Sequence, residues 1–458
     1  MPLSEYEKKR LENIKRNQEL LRELEIPQLD PLRKRSATPI KKHTPKKAPK
    51  KEKQEPTRQS ARLRGIKAEN VPPPKSEPSL YRSSEKKAER IDRLDDDQQQ
   101  EFLAILRQMP NTRPAPREAN KQDVETQSTL RNQLEDLEIR HEWATVKVTP
   151  DRINCSVFHP SSGKILACAG DTAGNLGFWD VNGTKENDFD DEKEPVIYAY
   201  RPHTRTITDL HFDPTDISKL YTSSYDGTIQ YFDMQQASFH SVSVDSYSFT
   251  NFDFCDKKIW FSTSDGEVGS YDLRSNKTHV HELRQKKIGC IHINPKKSHL
   301  LAAASNDRTL TIWDARSFKS PLHEVEHGYA VTSAYWSPLG NKLATTSYDD
   351  HVRVFDLDKS DELSLLSAIP HNNHTGKWVT MFRTRWNQNP AALSHQHFIV
   401  GNMKRTIDFF SGETGQEMCA LSDPDRLTAI QAVAIFHPST EKTLVATGNA
   451  SGRMACWS

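Results

Sequence analysis

The stretch "SNDRTLTIWDAR", Ser305–Arg316, sets a carboxylate at each end of a short apolar run, with one Trp and an Arg just beyond it. Taken alone, it reads equally as a catalytic constellation or as a strand between two turns. Aligning the chain with itself decides the matter. "GNLGFWD", "DGTIQYFD", "DGEVGSYD", "DRTLTIWD" and "DDHVRVFD" end at Asp180, Asp233, Asp272, Asp314 and Asp356, and two decayed copies, "KRTIDFFS" and "SGRMACWS", end at Ser411 and Ser458. Successive ends lie 53, 39, 42, 42, 55 and 47 residues apart, the period of a four-stranded propeller blade. A catalytic set has no reason to recur around a ring, so the pattern is architecture. The expected fold is all-β: a seven-bladed β-propeller over residues 140–458.

The repeat also predicts how the ring closes. The last copy ends on the third strand of its blade, and the alternating "WATVKVT", Trp143–Thr149, precedes the first copy. Supplying it as the missing outer strand removes an exposed sheet edge. Truncation past Thr149 is therefore expected to destabilise the whole ring.

Residues 1–139 have a different texture and are expected to form a largely disordered, partly helical basic extension. "SEYEKKRLENIKRNQELLRELEIP" has Ser4 as a cap with Glu7 three residues on and Pro27 as a stop, which predicts a helix over about 4–26. Its broken apolar stripe fits a docking helix or a solvated one. Residues 27–68 hold 14 Lys/Arg and three acids, interleaved with Pro, Ser and Thr, so no apolar face can form. Such a segment supports nuclear import and sequence-blind attraction to phosphate, or merely solubilises. Two weaker helical patterns follow, "SEKKAERIDRLDDDQQQEFLAILRQM" and "VETQSTLRNQLEDLEIRHEW".

Charge is uneven. Residues 1–149 carry 33 Lys/Arg against 25 Asp/Glu, and residues 150–458 carry 30 against 37, so a net of +1 hides a tail of +8 and a remainder of −7. No run approaches the ~20 apolar residues of a membrane helix, and "MPLSEYEKKR" is too charged for a signal peptide. A soluble, intracellular protein is expected, in the nucleus and also in the cytoplasm, and the sequons carry no meaning there. The six Cys form no C-x-x-C pair and read as reduced, mostly buried thiols. No nucleotide-binding glycine loop, nucleophile elbow or HExxH is present, so neither an enzyme, a cofactor nor a small-molecule substrate is expected. "HNNH" (His371, His374) and "HQH" (His395, His397) lack a second ligand cluster and read as polar, solvated histidines rather than a metal site.

Three loops carry unusual chemistry. "LRQKKIGC" puts Arg284, Lys286 and Lys287 in a turn before an inner strand, a placement suited to phosphate or to an ordinary lysine-rich surface. "IPHNNHTGKWVTMFRTRW" combines Lys377 and Trp378 with Arg383 and Arg385; a Trp among cations suits stacking on bases, although Trp378 fits a core position equally. Lys404 and Arg405 displace the Asp-Gly turn of the same blade. Strand order puts all of these, with Arg205, on one face of the disc.

The repeat resembles the WD-repeat family, over about two thirds of the chain. In that family the first Asp of each copy, here Asp226, Asp265, Asp307 and Asp349, and a His, here His203 and His327, brace a blade with a strand Ser/Thr and Trp. Ala173, Lys404 and Ser451 replace the Asp in blades one, six and seven, where weaker bracing is expected. More narrowly, "SEYEKKRLENIKRN", "TRQSARLRG", "QKKIGCIHINP", "WDAR", "HNNHTGKWVT" and "RTIDFFSGETGQ" resemble the group that includes DNA damage-binding protein 2 and WD-repeat protein 76, and within it the fungal DNA damage-binding WD proteins. The resemblance implies double-stranded DNA binding across the loop face, preferentially when ultraviolet-damaged, with Lys286 and Lys287 at the phosphate-contacting loop and a role in DNA repair. "HNNHTGKW" falls where that group inserts an aromatic-led hairpin, but the hairpin's Phe-Gln-His is absent, which leaves Trp378 as the candidate wedge. The resemblance also implies a partner surface on the opposite face. Arg274 in "YDLR" and Arg316 in "WDAR" fit the pattern of substrate receptors docking on a cullin-type ubiquitin ligase adaptor, and the alternative to a DNA binder is such a receptor or a scaffold for chromatin proteins.

Overall fold

The computed structural model describes residues 94, 96–113, 127–139, 141, 143–187, 190–389, 394–439 and 443–458; the helix expected over 4–26 and the basic segment 27–68 lie outside them. Helices α1 (Asp96–Arg107) and α2 (Gln127–Glu135) and strand β1 (Val146–Lys147) come first. Blade 1 is β2 (Ile153–Phe158), β3 (Leu166–Asp171), β4 (Leu176–Asn187) and β5 (Asp190–Tyr200), and blade 2 is β6 (Ile207–Phe212), β7 (Lys219–Ser224), β8 (Ile229–Asp233) and β9 (Ser238–Ser241). Blade 3 is β10 (Phe249–Cys255), β11 (Lys258–Thr263), β12 (Glu267–Asp272) and β13 (Lys277–Glu282), and blade 4 is β14 (Ile288–Ile293), β15 (Leu300–Ser305), β16 (Thr309–Asp314) and β17 (His323–Glu326). Blade 5 is β18 (Val331–Trp336), β19 (Lys342–Ser347), β20 (His351–Leu357) and β21 (Leu363–Pro370), and blade 6 is β22 (Arg385–Trp386), β23 (His397–Gly401), β24 (Ile407–Ser411) and β25 (Glu417–Leu421). In blade 7, β26 (Gln431–Phe436), β27 (Val445–Asn449) and β28 (Arg453–Trp457) are completed by β1.

All seven sheets are antiparallel, and their first strands touch one another around a closed ring. Blades stack face to face, so second strands are buried on both sides: every residue of β15, "LLAAAS", and β19, "KLATTS", is buried. Outer strands such as β13, "KTHVHE", are largely exposed and charged, which blunts the sheet edge.

The predicted closure is present. Val146 and Lys147 pair with Met454 and Arg453, and the Gly452 carbonyl accepts from the amides of Val148 and Thr149 at 2.9 and 3.1 Å. Gly452 has φ 74°, and a Cβ there would lie 2.0 Å from the Thr149 carbonyl oxygen, so only glycine lets the two chain segments approach this closely.

Within the described residues each weak helical pattern contains a helix, and both helices are docked. Phe102 of α1 is fully buried, stacked 4.3 Å from Tyr198 and tilted against Phe178 at 5.1 Å, in a cluster that spans blades 1 and 2. Leu130 and Leu134 of α2 pack with Leu137 and Ile139 on Phe409, Met418 and Trp457 of blades 6 and 7. The expected boundary at residue 140 falls between α2 and β1, downstream of both anchors.

In blade 2 the bracing residues are joined as the repeat predicts, whereas in blade 5 His327 reaches Thr345 at 3.3 Å and Asp349 pairs instead with Arg353 at 2.7 Å. His203 meets Asp226 at 3.1 Å and Thr222 at 2.7 Å. Burial opposes ionisation of Asp226, but bonds from His203 and Thr228 hold its carboxyl down at about 2. In blades one, six and seven, where the first Asp is replaced, other residues bond at the corresponding turns. Asp171 accepts from the amides of Asp151, Ala173 and Asn175 at 3.1, 2.8 and 2.9 Å. Asp408 is bonded by Thr406 and Asn402 at 2.6 and 2.5 Å, and Asn449 caps the amides of Ser451 and Arg453.

Histidines at two related turns belong to the core. In "FHPSS" and "FHPST", His159 and His437 are buried, and each ring accepts an amide through Nδ1, from Ser161 and Ser439. The solvated reading of His371 and His397 is likewise corrected: both are buried, with His371 bonded to Asn373 and His397 to Asn387. Five Cys are buried, Cys255 is half-buried, and none is in a disulfide.

Two outcomes are expected. Phe102→Ala should lower stability by about 3–5 kcal/mol in urea unfolding, the range for emptying a buried aromatic site. Burial holds His159, His397 and His437 at about 4 instead of 6.5. Below pH 6.5 the unfolded chain therefore takes up protons that these rings refuse, so urea midpoints should fall progressively from pH 6.5 to about 4.

Candidate nucleic-acid interface

Strands alternate in direction within each blade, so turns joining second to third strands emerge at the same end as loops joining one blade to the next. Arg205 (β5–β6), Lys286 and Lys287 (β13–β14), Lys377 and Trp378 (β21–β22) and Lys404 and Arg405 (β23–β24) therefore share one face. Arg274 and Arg316 follow β12 and β16 and lie on the other.

On the loop face, Lys286, Lys404 and Arg405 are exposed. Arg405 holds φ 69° in a turn capped by Asn402, whose side chain accepts from the Lys404 amide at 3.0 Å. Tyr225 gathers two more cations: its carbonyl accepts from Arg205 at 3.0 Å, while Lys287 Nζ donates to its hydroxyl at 2.5 Å and lies 4.8 Å from its ring. Arg284 does not join them. It stands 23 residues before Asp307, the interval from His203 to Asp226, and ion-pairs with Asp307 at 3.6 Å and Glu324 at 2.9 Å. It occupies the bracing position, so its charge is spent inside the blade.

The β21–β22 loop crosses the mouth of the ring. Thr380 donates to the Ile153 carbonyl of blade 1 at 2.5 Å, and the Lys377 carbonyl accepts from Arg152 at 2.5 Å. The Phe382 carbonyl takes bonds from Thr332 and Thr346 of blade 5 at 3.4 and 3.1 Å. Thr380, Phe382 and Thr384 are buried, whereas Trp378 is 84% exposed, which removes the core alternative. An indole this exposed on a tethered loop has its apolar face unpartnered among the described residues. Nearby, His374 bonds Asp350 at 2.9 Å, and its ring lies 6.3 and 6.1 Å from those of Tyr329 and Tyr348. Arg152, Tyr225, Tyr329 and Tyr348 were not singled out in the sequence. Their signal was positional, since each lies in a blade-to-blade loop or a second-to-third-strand turn.

The family model "WD domain, G-beta repeat" matches residues 195–233, 275–314 and 319–356. Along its length the chain is 34% identical to DNA damage-binding protein CMR1 of Phaeosphaeria nodorum, an alignment covering 99% of this chain and 98% of that protein. It is 32% identical to the protein of that name from Neurospora crassa and 33% identical to that from Aspergillus clavatus, each again over 99% of this chain and 98% of the relative. The chain belongs to the fungal WD-repeat DNA damage-binding protein family.

Two arginines of this family member depart from the expected loop face. Arg383 and Arg385 turn inward and cross the central channel from blade 6 to blade 2: Arg385 meets Asp209 at 3.5 Å, and Arg383 reaches the Thr208 carbonyl at 3.4 Å. The reason is register. The loop enters β22 with alternate residues directed to the axis, and Asp209 waits on the opposite wall. Burial opposes ionisation of Asp209, but His211 at 3.2 Å, Arg385 and Arg383 outweigh it and hold the carboxyl well below the usual range. Asn251 also donates to Asp209 and accepts from the Ile291 amide at 2.8 Å, so the network runs through blades 2, 3, 4 and 6. On the opposite face Arg316 is clasped by Asp314 at 2.9 and 2.7 Å, and Arg274 lies 3.8 Å from Asp272, both side chains largely exposed.

Arg385→Met removes one of the cations beside buried Asp209 but leaves it bonded to His211 and Asn251, so it should cost about 1–3 kcal/mol in urea unfolding. Adding Asp209→Asn should recover part of that loss, a coupling that a double-mutant cycle reads directly.

Proposed function

We propose that this protein binds duplex DNA across the loop face and prefers duplexes distorted by ultraviolet lesions, without catalysing a reaction. The observation that carries the reading is Trp378, largely exposed at the mouth of the ring on a loop tied to blades 1 and 5, with Lys377 beside it and exposed cations on the surrounding turns. Lys286, Lys287, Lys404, Arg405 and Arg205 grip phosphates, and Trp378 enters where stacking is already weakened. Damaged steps are cheaper to open, so such a wedge selects them without reading sequence. The names of the relatives support the same reading. The basic segment 27–68 adds salt-sensitive affinity and nuclear import.

The opposite face serves a second role in this proposal. Arg274 and Arg316 are exposed there, away from the DNA, and would dock a protein partner of the ubiquitin-ligase adaptor or chromatin class while DNA is held.

The test uses the full chain on matched duplexes with and without an ultraviolet photoproduct, over a salt series. Trp378→Ala should abolish the lesion preference, a loss of about 1–3 kcal/mol for one stacked base, and leave undamaged-duplex binding intact. Lys286→Glu with Lys287→Glu should weaken both duplexes alike and flatten the log–log salt slope by about 2, near one per lost phosphate contact. An unchanged lesion preference in Trp378→Ala would remove the wedge from the mechanism.

A further inference from the structure

The joint that closes the ring carries two like charges. Lys147 of β1 and Arg453 of β28 are direct cross-strand partners, and both are exposed. They stand at the loop-face end of the blade, because β28 leaves the second-to-third-strand turn of blade 7 and β1 runs out into the link before β2. Lys147 Nζ donates to the Pro150 and Ser451 carbonyls at 2.8 and 2.6 Å, and Arg453 donates to the Thr145 carbonyl at 3.3 Å. Those acceptors are neutral, and neither cation has an ion pair among the described residues. Cations at the same end of other blades are neutralised: Arg284 and Arg308 meet Asp307, Glu324 and Glu326 of blade 4, and Arg353 meets Asp349 in blade 5.

Like charges directly opposite on a ladder repel, and here they do so at the joint on which closure depends. A local rule broken without structural return is expected at functional positions. The joint also lies within the proposed DNA surface. Lys404 and Arg405 of blade 6 flank it on one side and Arg205, after blade 1, on the other. Arg152, in the link that follows β1, donates to the Lys377 carbonyl at 2.5 Å, one residue from Trp378. Cations that follow one another across three neighbouring blades match the row of charges on a phosphodiester backbone. Resting on the proposed DNA binding, we infer that Lys147 and Arg453 together clasp a backbone phosphate of the duplex, and that this phosphate, by cancelling their repulsion, holds the β1–β28 joint shut. DNA binding and ring closure are then linked, each favouring the other.

The full chain is titrated with undamaged and photoproduct-containing duplexes over a salt series, and amide hydrogen exchange is followed with and without duplex. In the parent chain, saturating duplex should slow exchange of the Val148 and Thr149 amides, which donate to the Gly452 carbonyl across the joint. Arg453→Glu sets a carboxylate opposite Lys147. It should leave the Tm of the free chain unchanged or raise it, weaken both duplexes several-fold alike, and flatten the log–log salt slope by about 1, the value for one lost phosphate contact. Duplex should no longer protect Val148 and Thr149 in that variant. A merely structural role for Arg453 gives the opposite pattern, a lower Tm with DNA affinity unchanged. The inference is overturned, with DNA binding left standing, if Arg453→Glu binds duplex as tightly as the parent, or if duplex leaves the exchange of Val148 and Thr149 in the parent unchanged. A parent chain that binds neither duplex overturns the proposed function and this inference together. If Arg453→Glu fails to fold, the exchange measurement on the parent chain decides alone.

Discussion

Every blade of this molecule depends on the pairing of Val146 and Lys147 with Arg453 and Met454. Stacked blades left open at one joint would present two bare faces to water. Antiparallel hydrogen bonds between segments some 300 residues apart turn that joint into a continuous sheet. Gly452 sets how near those segments come. The two helices extend the same logic around the rim: α1 spans blades 1 and 2, and α2 spans blades 6 and 7, on either side of the joint.

Within this frame the loop face and the channel are one construction. The β21–β22 segment shows Trp378 to solvent, buries Thr380 and Phe382, and then sends Arg383 and Arg385 down the axis. Tethers to blades 1, 2 and 5 fix both ends of the exposed turn. A side chain that must enter a stack of bases needs a rigid base of its own, because freedom lost on binding subtracts from affinity. The charged network below supplies it, with Asp209 kept ionised by the histidine and guanidinium groups around it.

The architecture was open to reading because it is written seven times. The 39–55-residue spacing, the terminal Asp of five copies and the alternation of "WATVKVT" each follow from a periodic constraint that survives decay of individual positions. Single positions were harder. Arg284 looked like a surface cation because its neighbours are Lys286 and Lys287, yet its interval to Asp307 already placed it with His203. Arg383 and Arg385, two residues apart, share one side of a strand, but nothing in sequence says that Asp209 faces them across the axis. Trp378 was open to either burial state, since only the tethering of its loop decides which way an indole points. The docking of α1 was hidden for a related reason: Phe102 and Leu106 announce an apolar stripe, and the aromatic groove of Phe178, Tyr198 and Phe232 that receives it exists only once two blades have met.

The joint between β1 and β28 also imposes an order on biosynthesis. At a translation rate of about 5–20 residues per second, β1 leaves the ribosome roughly 15–60 seconds before its partner is made. Throughout that interval the nascent blades form a growing open stack, with β1 unpaired at one end and the newest blade uncovered at the other. The ring cannot close until β28 is made, so the protein is exposed to misassembly from the emergence of β1 until then.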